Sequence, residues 1–335
     1  MITDNNSTLE KYKEIISKYD NLGQNISQAL QLLLKENNIT YLSVYYRVKE
    51  IESFSNKVAK KGYIDPFDEI EDICGVRIIC YYQSDIERIE KILKTEFIVT
   101  ENQNKEKGLK FDQFGYRSTH SIVKINNNWL NTPNYRGLQN LKAEIQIRTV
   151  LMHAWAEIEH KLAYKSESQI PNEFKRKLSR ISAKLEESDE QFEEIKKQIE
   201  VNKNKIIETA KQAKEFDENI EFNLDNLQAF LDYAFPEREK DIRATSMLFE
   251  EMKTENIEFK SLISGYKKSK DYINDIERDT ITEHKLKIYD NSKPYFIQVG
   301  AARTVLELSN DRYYKKVSGY DEMGIIKRYK KIIFK

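Results

Sequence analysis

"DEIEDICGVRIICYY", residues 68–82, passes from acidic residues at helical spacing into an apolar run rich in Val and Ile. A short β-branched run of this kind is typical of a strand that is buried on both faces. We therefore predict a core strand over residues 76–82, preceded by a short helical turn. Asp72 lies just before this strand, and Arg77 lies within it.

The segments on either side of this strand predict helices and further strands. Residues 8–36 and 40–61 carry apolar residues at intervals of three and four, which is the pattern of amphipathic helices. A short helix is expected over residues 84–95. Three more strands are predicted at "EFIVTENQ" (96–103), "STHSIVKI" (118–125) and "KAEIQIRT" (142–149). The fold class is therefore α+β, with a mixed sheet of four or five strands flanked by helices.

The second half of the chain is predicted to form a helical arm followed by a separate domain. After a helix over residues 150–165, residues 171–216 form an amphipathic arm, and residues 221–335 form a mostly helical C-terminal domain with predicted strands at 285–290 and 295–308. The arm has a heptad seam, made of Leu178, Leu185, Phe192, Ile199 and Ile206. Such a seam packs either within the chain or between copies in a homo-oligomer. We expect the C-terminal domain to be regulatory or to serve oligomerisation.

Composition excludes several classes of protein. The 335 residues include 33% charged residues, with 55 basic and 55 acidic side chains, and the mean hydropathy is −0.71. These values predict a soluble protein and argue against a dedicated nucleic-acid coat protein. The first thirty residues lack an apolar run of signal-peptide length, so a cytoplasmic location without membrane contact is expected. Cys74 and Cys80 are expected to be buried thiols.

The strand at residues 142–149 carries polar side chains on one face. Because side chains alternate along a strand, Glu144, Gln146 and Arg148 share a face. This face is either solvated or part of a site. Asp72 can converge on it, or it can be an ordinary turn aspartate. Two carboxylates can share a Mg²⁺ ion that neutralises transferring phosphates.

Residues 47–61 concentrate positive charge. The segment, predicted as helical, contains Arg47, Lys49, Ser53, Lys57, Lys60 and Lys61. So many like charges repel one another unless a polyanion such as a triphosphate is bound, and an arginine can also stack on a base. The alternative is a solvated lysine-rich surface.

The stretch "GYRSTH", residues 115–120, has the composition of a base-binding turn. Gly115 permits a tight bend that projects Tyr116 as a flat stacking surface, with Arg117 and His120 close by. A tyrosine packed in a core turn is the alternative interpretation.

Four motifs in order now resemble a known family. They are "RVKEIESFSNK" (47–57), "DICGVRI" (72–78), "GYRSTH" (115–120) and "EIQIRTVLMHAWAEIEHKLAYK" (144–165). This set resembles the synthetase domain of RelA/SpoT-type alarmone synthetases, over roughly residues 20–190. The resemblance implies a nucleotidyltransferase-like sheet, a synthetase domain at residues 1–190 with N-terminal helices, and a small alarmone synthetase with a C-terminal extension.

The resemblance also implies an activity and a set of site residues. Such enzymes transfer the β,γ-pyrophosphate of ATP to the ribose 3′-hydroxyl of GDP or GTP. Asp72 and Glu144 would be catalytic and hold Mg²⁺. The ATP site would comprise Arg47, Lys49, Ser53, Lys57, Lys60, Lys61 and Arg77, and the acceptor site would comprise Tyr116, Arg117, His120, Gln146 and Arg148.

One position departs from the family pattern. Asp112 stands where enzymes that use GDP or GTP usually carry a lysine for the acceptor 5′-phosphates. A carboxylate there repels a diphosphate, unless neighbouring lysines compensate for it. Toxic members of the family instead pyrophosphorylate the 3′-terminal adenosine of tRNA, and some are restrained by a C-terminal domain. An inactive domain that senses nucleotides or binds RNA is the third hypothesis, against which the two carboxylates argue.

Overall fold

The computed structural model describes residues 5–104, 119–162, 172–286, 293–317 and 324–334. The chain divides into two compact units, which we call unit 1 (Met1–Ile195) and unit 2 (Lys196–Lys335). The predicted limits of the synthetase domain and of the C-terminal domain, residues 190 and 221, lie on either side of this division.

Unit 1 is built on five strands with helices before, between and after them. The strands are β1 (Tyr41–Val48), β2 (Cys74–Cys80), β3 (Phe97–Asn104), β4 (Thr119–Ile125) and β5 (Ala143–Thr149). The helices are α1 (Asn5–Glu36), α2 (Ile51–Lys61), α3 (Pro66–Glu69), α4 (Gln83–Glu96) and α5 (Val150–Leu162), and α6 (Asn172–Ala213) begins in this unit. A single 3₁₀ turn, Pro133–Tyr135, lies in the connection between β4 and β5.

The strands form one mixed sheet in the order β1-β2-β5-β4-β3. The pairs β1–β2, β4–β5 and β3–β4 are antiparallel, whereas β2 and β5 are parallel. Parallel neighbours need a long crossover connection, and here residues 81–142 provide it. The predicted α+β class with a mixed sheet flanked by helices is confirmed. As a result of this order, β5 lies at the centre of the sheet, between β2 and β4.

One face of the sheet is covered by helices α1 and α4. Each supplies a stripe of buried residues at helical spacing to the core cluster that contains the inward side chains of β2 and β5. These stripes are Leu22, Ile26, Leu30 and Leu34 of α1, and Ile89, Ile92 and Leu93 of α4. Gly23 allows the close approach of α1, since a Cβ there would lie 2.3 Å from Cδ2 of Tyr46. The opposite face of the sheet is consequently left for polar side chains.

The prediction of a helix over residues 40–61 is wrong in its first half. Residues 41–48 form strand β1, and only residues 51–61 are helical. The sequence "YLSVYYRV" is short and rich in aromatic and β-branched residues, and apolar periodicity over so few residues does not separate the two structures. Pairing with β2 along seven registered positions decides in favour of a strand.

Every regular secondary-structure element among the described residues of unit 2 is a helix. It contains the end of α6, then α7 (Leu224–Ala234), α8 (Ile242–Thr254), α9 (Phe259–Ser269), α10 (Ile273–Glu283), α11 (Gln298–Ser309), α12 (Asp311–Val317) and α13 (Ile325–Ile333). The strand predicted at residues 295–308 is wrong, because most of this segment is helix α11. That helix is buried on most sides, so its sequence lacks the polar face by which a helix is recognised. The other predicted strand, residues 285–290, lies largely outside the described residues.

A buried ion pair fixes three segments of unit 2 to one another. The Arg238 guanidinium donates two hydrogen bonds to the carboxylate of Glu277, at 2.8 and 3.2 Å. It also donates to Oδ1 of Asn274 at 2.7 Å and to the carbonyl of Phe296 at 3.0 Å. The side chains of Arg238 and Glu277 are only 4% and 9% exposed. The charges are therefore stabilised by each other and not by water.

Across the described ranges, we find no helix whose length and apolar character would suit it to crossing a bilayer.

Candidate active site

Two rows of side chains cross the polar face of the sheet. Strand pairing places Arg47 opposite Gly75, and Gly75 opposite Glu144. The second row lies two residues away on each strand. It consists of Tyr45, Arg77, Gln146 and His120, which are paired across β1, β2, β5 and β4. Directly paired residues project to the same face, so the backbone ladder itself brings these groups together. Because Gly75 has no side chain, a cleft remains between Arg47 and Glu144, and Asp72 also lines it.

Asp72 lies at the entrance to β2 and is held by two lysines. Lys49 Nζ donates to Oδ2 at 2.9 Å, and Lys57 Nζ donates to Oδ1 at 2.8 Å. Burial raises the pKa of Asp72, but the hydrogen bonds from Lys57 and Lys49 outweigh burial and leave this pKa below its ordinary value. Asp72 is therefore an ionised carboxylate at neutral pH, with two cations at its oxygens.

Glu144 lies on the central strand, and both of its oxygens accept hydrogen bonds. Oε1 is 2.6 Å from Nδ1 of His120, and Oε2 accepts from Nε2 of Gln146 at 2.9 Å. Burial raises the pKa of Glu144, but the hydrogen bond and charge of His120, together with the hydrogen bond from Gln146, outweigh burial and leave this pKa below its ordinary value. The charge of Asp72 acts in the opposite direction on the same pKa. Both carboxylates line the same cleft.

Arg77 is held in one orientation by residues of β1, β5 and α5. Its Nη1 donates to the hydroxyl of Tyr45 at 2.7 Å and to Oε1 of Glu157 at 2.8 Å, and its Nε lies 3.3 Å from Oε1 of Gln146. The guanidinium also lies over the Tyr45 ring, 5.5 Å from the ring centroid. A planar guanidinium fixed in this way can present one face to a flat ligand such as a base.

Sequence reasoning missed Tyr45, His153 and Glu157. His153 and Glu157 lie four residues apart on α5, so they share a face, and the His153 ring makes an edge contact with Tyr45. The pKa of His153 is lowered by burial and then by the positive charges of Arg77 and Arg148, against the opposing charge of Glu157. The spacing of these two residues was a usable signal, but only the packing of α5 shows which face meets the sheet.

The predicted site residues fall into three groups. Those that meet on the polar face or at its edge are Arg47, Lys49, Lys57, Asp72, Arg77, His120, Glu144, Gln146 and Arg148. Among the described residues, no hydrogen bond or ion pair joins Ser53, Lys60 or Lys61 to this set, although all three share a face of α2 with Lys57. Tyr116, Arg117 and Asp112 lie outside the described residues. The correction to β1 also moves Arg47 and Lys49 from the predicted helical stripe to the end of a strand and the residue after it.

The cleft carries the donor set that Mg²⁺ prefers. Magnesium is commonly held by one or two carboxylates together with substrate phosphates and water, so Asp72 and Glu144 suffice on the protein side. Within the described ranges, no group of three or more His, Cys, Asp and Glu side chains gathers as an all-protein metal site. The chemistry of the residues therefore fits a metal that arrives with a phosphate ligand.

A second cavity does not have these features. It has a volume of about 540 Å³, lies in unit 2, and is lined by the end of α6, residues 215–220 and Lys267. Three of its charged groups are already paired, since Lys267 contacts both Glu215 and Glu218. We therefore assign the chemistry to the cleft in unit 1.

Comparison with known proteins agrees with this assignment. The model of the region found in RelA and SpoT proteins matches residues 46–169. The GTP pyrophosphokinase YwaC of Bacillus subtilis (strain 168) is 33% identical over 203 residues, which make up 56% of this chain and 89% of that protein. The chain belongs to the RelA/SpoT family. The GTP pyrophosphokinase YjbM of the same organism is 34% identical over 157 residues, or 46% of this chain and 71% of that protein.

The solved structures of this family include the small alarmone synthetase 2 of Bacillus subtilis. It is 31% identical to this chain, with a TM-score of 0.49, and the match covers 56% of this chain and 99% of that one. The RelA/SpoT match at residues 46–169 contains every residue that lines the cleft between Arg47 and Glu144 except Tyr45. Tyr45 precedes the first matched residue by one position.

Proposed function

We propose that this RelA/SpoT protein is a Mg²⁺-dependent pyrophosphokinase that transfers the β,γ-pyrophosphate of ATP to the ribose 3′-hydroxyl of GDP or GTP. The observation that carries the proposal is the convergence of Asp72 and Glu144 on one cleft. That cleft is bordered by two arginines and two lysines. Phosphoryl-type transfer asks the protein mainly for positioning and for compensation of charge, and these residue types provide both.

The donor nucleotide would bind on the β1–β2 side of the cleft. Arg47 and Arg77 lie on neighbouring strands of the same face, where their guanidinium planes can hold the adenine between them. Lys49 and Lys57 reach the entrance of β2 and would bind the phosphates in exchange for part of their contact with Asp72. Ser53, Lys60 and Lys61 extend the same basic face along α2.

The acceptor would be activated at β5. In the reaction, the 3′-oxygen of the acceptor forms a bond to the β-phosphorus of ATP, the bond between that phosphorus and the α,β-bridging oxygen breaks, and AMP leaves. Glu144 is ionised and would accept the hydroxyl proton, while His120 and Gln146 hold its carboxylate in place. A magnesium ion held by Asp72 and Glu144 would neutralise charge on the transferred phosphates.

The identity of the acceptor is tested by supplying each candidate acceptor in a separate reaction. We expect ATP labelled in the γ-phosphate to transfer label to GDP or GTP, with AMP formed in equal amount. Asp112 favours a second candidate, in which the acceptor is the 3′-terminal adenosine of tRNA, because a carboxylate at that position repels a 5′-diphosphate. Deacylated tRNA is therefore the third acceptor to be offered.

Each pattern of label transfer supports a different hypothesis about the activity. Label only in tRNA would refute GDP and GTP as acceptors and establish the toxin-type activity. Label in none of the three acceptors, with ATP binding retained, would instead favour an inactive nucleotide-binding domain. The matched control in each reaction is the Glu144→Gln variant, which removes the proton acceptor and keeps the size of the side chain.

Tyr45 provides a test of the donor site that does not alter charge. Tyr45→Phe removes the hydroxyl that accepts the 2.7 Å hydrogen bond from Arg77 but keeps the ring beneath the guanidinium. Because a less restrained Arg77 loses more freedom when ATP binds, we expect KM for ATP to rise about 3- to 10-fold. We expect kcat to change less than about twofold, since Arg77 contacts the base and not the transferred group. Steady-state kinetics measures both.

Tyr41→Phe serves as the matched control, because it makes the same change on the same strand at a residue that packs against the core cluster. Equal effects of the two substitutions on KM would show that the loss of any β1 hydroxyl perturbs the site, and the role given to Tyr45 would be wrong.

A further inference from the structure

The first half of helix α6 packs within unit 1 along a stripe whose last two positions are acids. Its members recur at intervals of three or four residues, so they share one face of the helix. We call them the α6 inner stripe: Leu178, Ser182, Leu185, Asp189 and Glu193. The two leucines pack against Met152 and Trp155 of α5, so this part of the predicted heptad seam packs within the chain. Ser182, Asp189 and Glu193 are only 1%, 3% and 8% exposed. A buried carboxylate is costly unless its charge is compensated, so these two acids call for a physical explanation.

The two acids contact the ends of neighbouring elements. Thr149, the last residue of β5, donates a 2.5 Å hydrogen bond from its hydroxyl to Oδ2 of Asp189. The same hydroxyl oxygen accepts from the amide of Met152 at 3.1 Å, which ties the start of α5 to this contact. The amide of Ser84, in the first turn of α4, donates to Oε2 of Glu193 at 3.1 Å. Because the N-terminus of a helix favours a negative charge, the charge of this pair of acids belongs on Glu193.

The groups around Asp189 do not compensate for its charge. Burial, followed by the charge of Glu193, raises the pKa of Asp189 to about 7. Cys80 of β2 and Asp85 of α4 lie nearby, since the charges of Asp85 and Asp189 both act on the Cys80 thiol, whose pKa burial raises to about 12. Asp85 has its own cation, Arg88, at 2.9 Å. The α5 side chains at this junction are apolar, and the other acids close by on α6 are Glu186 and Glu190. No ion pair joins Asp189 to a cation among the described residues.

The junction that Asp189 contacts also supports the candidate active site. Arg148, on the polar face of the sheet, immediately precedes Thr149, and α5 begins at the residue after Thr149. Two turns further on, α5 presents Glu157 to Arg77, with 2.8 Å between Oε1 and Nη1. Helix α6 therefore rests on the connection between β5 and α5, and the start of that helix is held by the same threonine hydroxyl that contacts Asp189.

We propose that Asp189 is a proton-controlled positioning residue, which holds α6 on the β5–α5 junction while its carboxyl is protonated and loosens the helix when it ionises. A buried position beside a second acid favours the neutral carboxyl. Once α6 lifts away from the junction, water reaches Asp189 and the ionised form is favoured instead. The proposal rests on contacts within unit 1 and does not depend on the proposed activity.

The direction of the pH dependence follows from the two pKa values of Asp189. In the docked helix this pKa is about 7, against an ordinary value of 3.8, so the docked form holds a proton that the undocked form releases between these values. Undocking therefore becomes more favourable as the pH rises through this window, by up to about tenfold per pH unit, and it levels off above about pH 7.

Undocking is measured by thiol labelling of the full chain with the substitution Ser182→Cys. This position is buried on the inner side of α6, so the thiol reacts with dithiodipyridine only when the helix lifts. The labelling rate, divided by that of a cysteine peptide at the same pH, gives the equilibrium constant for undocking. The native thiols of Cys74 and Cys80 are fully buried, and peptide mass spectrometry assigns the label to position 182. We expect the constant to rise about 10- to 50-fold from about pH 5 to about pH 7, and less than about threefold from about pH 7.5 to about pH 8.5.

A second substitution in the Ser182→Cys chain shows whether Asp189 is the titrating group. Asp189→Asn cannot ionise but can still accept the hydrogen bond from Thr149, so we expect the undocking constant to change less than about twofold between about pH 5 and about pH 7. The matched control is Glu190→Gln, which neutralises the neighbouring exposed acid of the same helix and is expected to keep the full rise. An undocking constant that stays flat over this range in the Ser182→Cys chain would overturn the proposal. So would a rise that persists unchanged with Asp189→Asn.

Discussion

Replacing Glu144 by glutamine is expected to reduce kcat for pyrophosphate transfer by about 10²- to 10⁴-fold, which is the range that a positioned general base contributes. The amide keeps the shape of the side chain and can still contact His120 and Gln146, but it cannot accept the proton of the acceptor hydroxyl. It is also a weaker ligand for a divalent cation. The rate of label transfer from γ-labelled ATP, at saturating ATP and acceptor, measures the loss.

The control for this change is Glu87→Gln, which makes the same substitution at an exposed residue of α4, on the covered side of the sheet. We expect this variant to keep the parent rate. The pKa of Glu144 lies below its ordinary value of 4.5, so protonation of this carboxylate is not expected to limit the parent enzyme between about pH 6 and pH 8. A Glu144→Gln enzyme with more than about a tenth of the parent kcat would show that another group takes the proton.

The largest effect on stability is expected at the buried ion pair of unit 2. Arg238→Met keeps most of the side-chain volume but leaves the carboxylate of Glu277 buried without its cation. Breaking a buried pair in this way costs about 3–5 kcal/mol, because an uncompensated charge remains out of water. Urea unfolding followed by circular dichroism measures the loss, and hydrogen exchange in α7 and α10 locates it.

Two further variants separate the ion pair from general damage to the core. In the double variant Arg238→Met with Glu277→Gln, no charge stays buried, and the glutamine oxygen can still accept from the Phe296 amide, so we expect at least 1–2 kcal/mol to be recovered. Arg278→Met changes a neighbouring arginine that is 69% exposed and is expected to cost less than about 0.5 kcal/mol. A double variant no more stable than Arg238→Met alone would mean that lost packing, and not the buried charge, caused the effect.

The sequence was informative wherever a segment had one clear environment. Strand β5 alternates regularly between buried and half-buried residues, so its polar face with Glu144, Gln146 and Arg148 follows directly from the spacing. Strand β2 is apolar on almost every residue, as expected for a central strand with parallel pairing. The spacing of polar and apolar residues along a strand does not show which strands lie next to it in the sheet. The order that puts β5 between β2 and β4, and hence Glu144 beside Gly75, depends on the whole chain.

The errors arose where burial was uniform or the segment was short. Helix α11 is surrounded by the core of unit 2, and a helix without a solvated side has no helical pattern to detect. Strand β1 is a short edge strand beside a true helix, and its apolar residues were counted with those of α2. This second error had a functional consequence. Alternation along β1 would have placed Tyr45 on the same face as Arg47, but a helical interpretation separates them.

The central position of β5 bears on how the protein is made. As the chain leaves the ribosome, β1 can pair with β2, and later β3 with β4, each from nearby sequence, but the free edge of β2 has no neighbour until β5 has been synthesised. Insertion of that last strand joins the two half-sheets. Glu144 travels on it, so closure of the sheet and assembly of the carboxylate pair are one event. Until Thr149 has been synthesised, the nascent chain therefore lacks the pair of carboxylates on which the proposed activity depends.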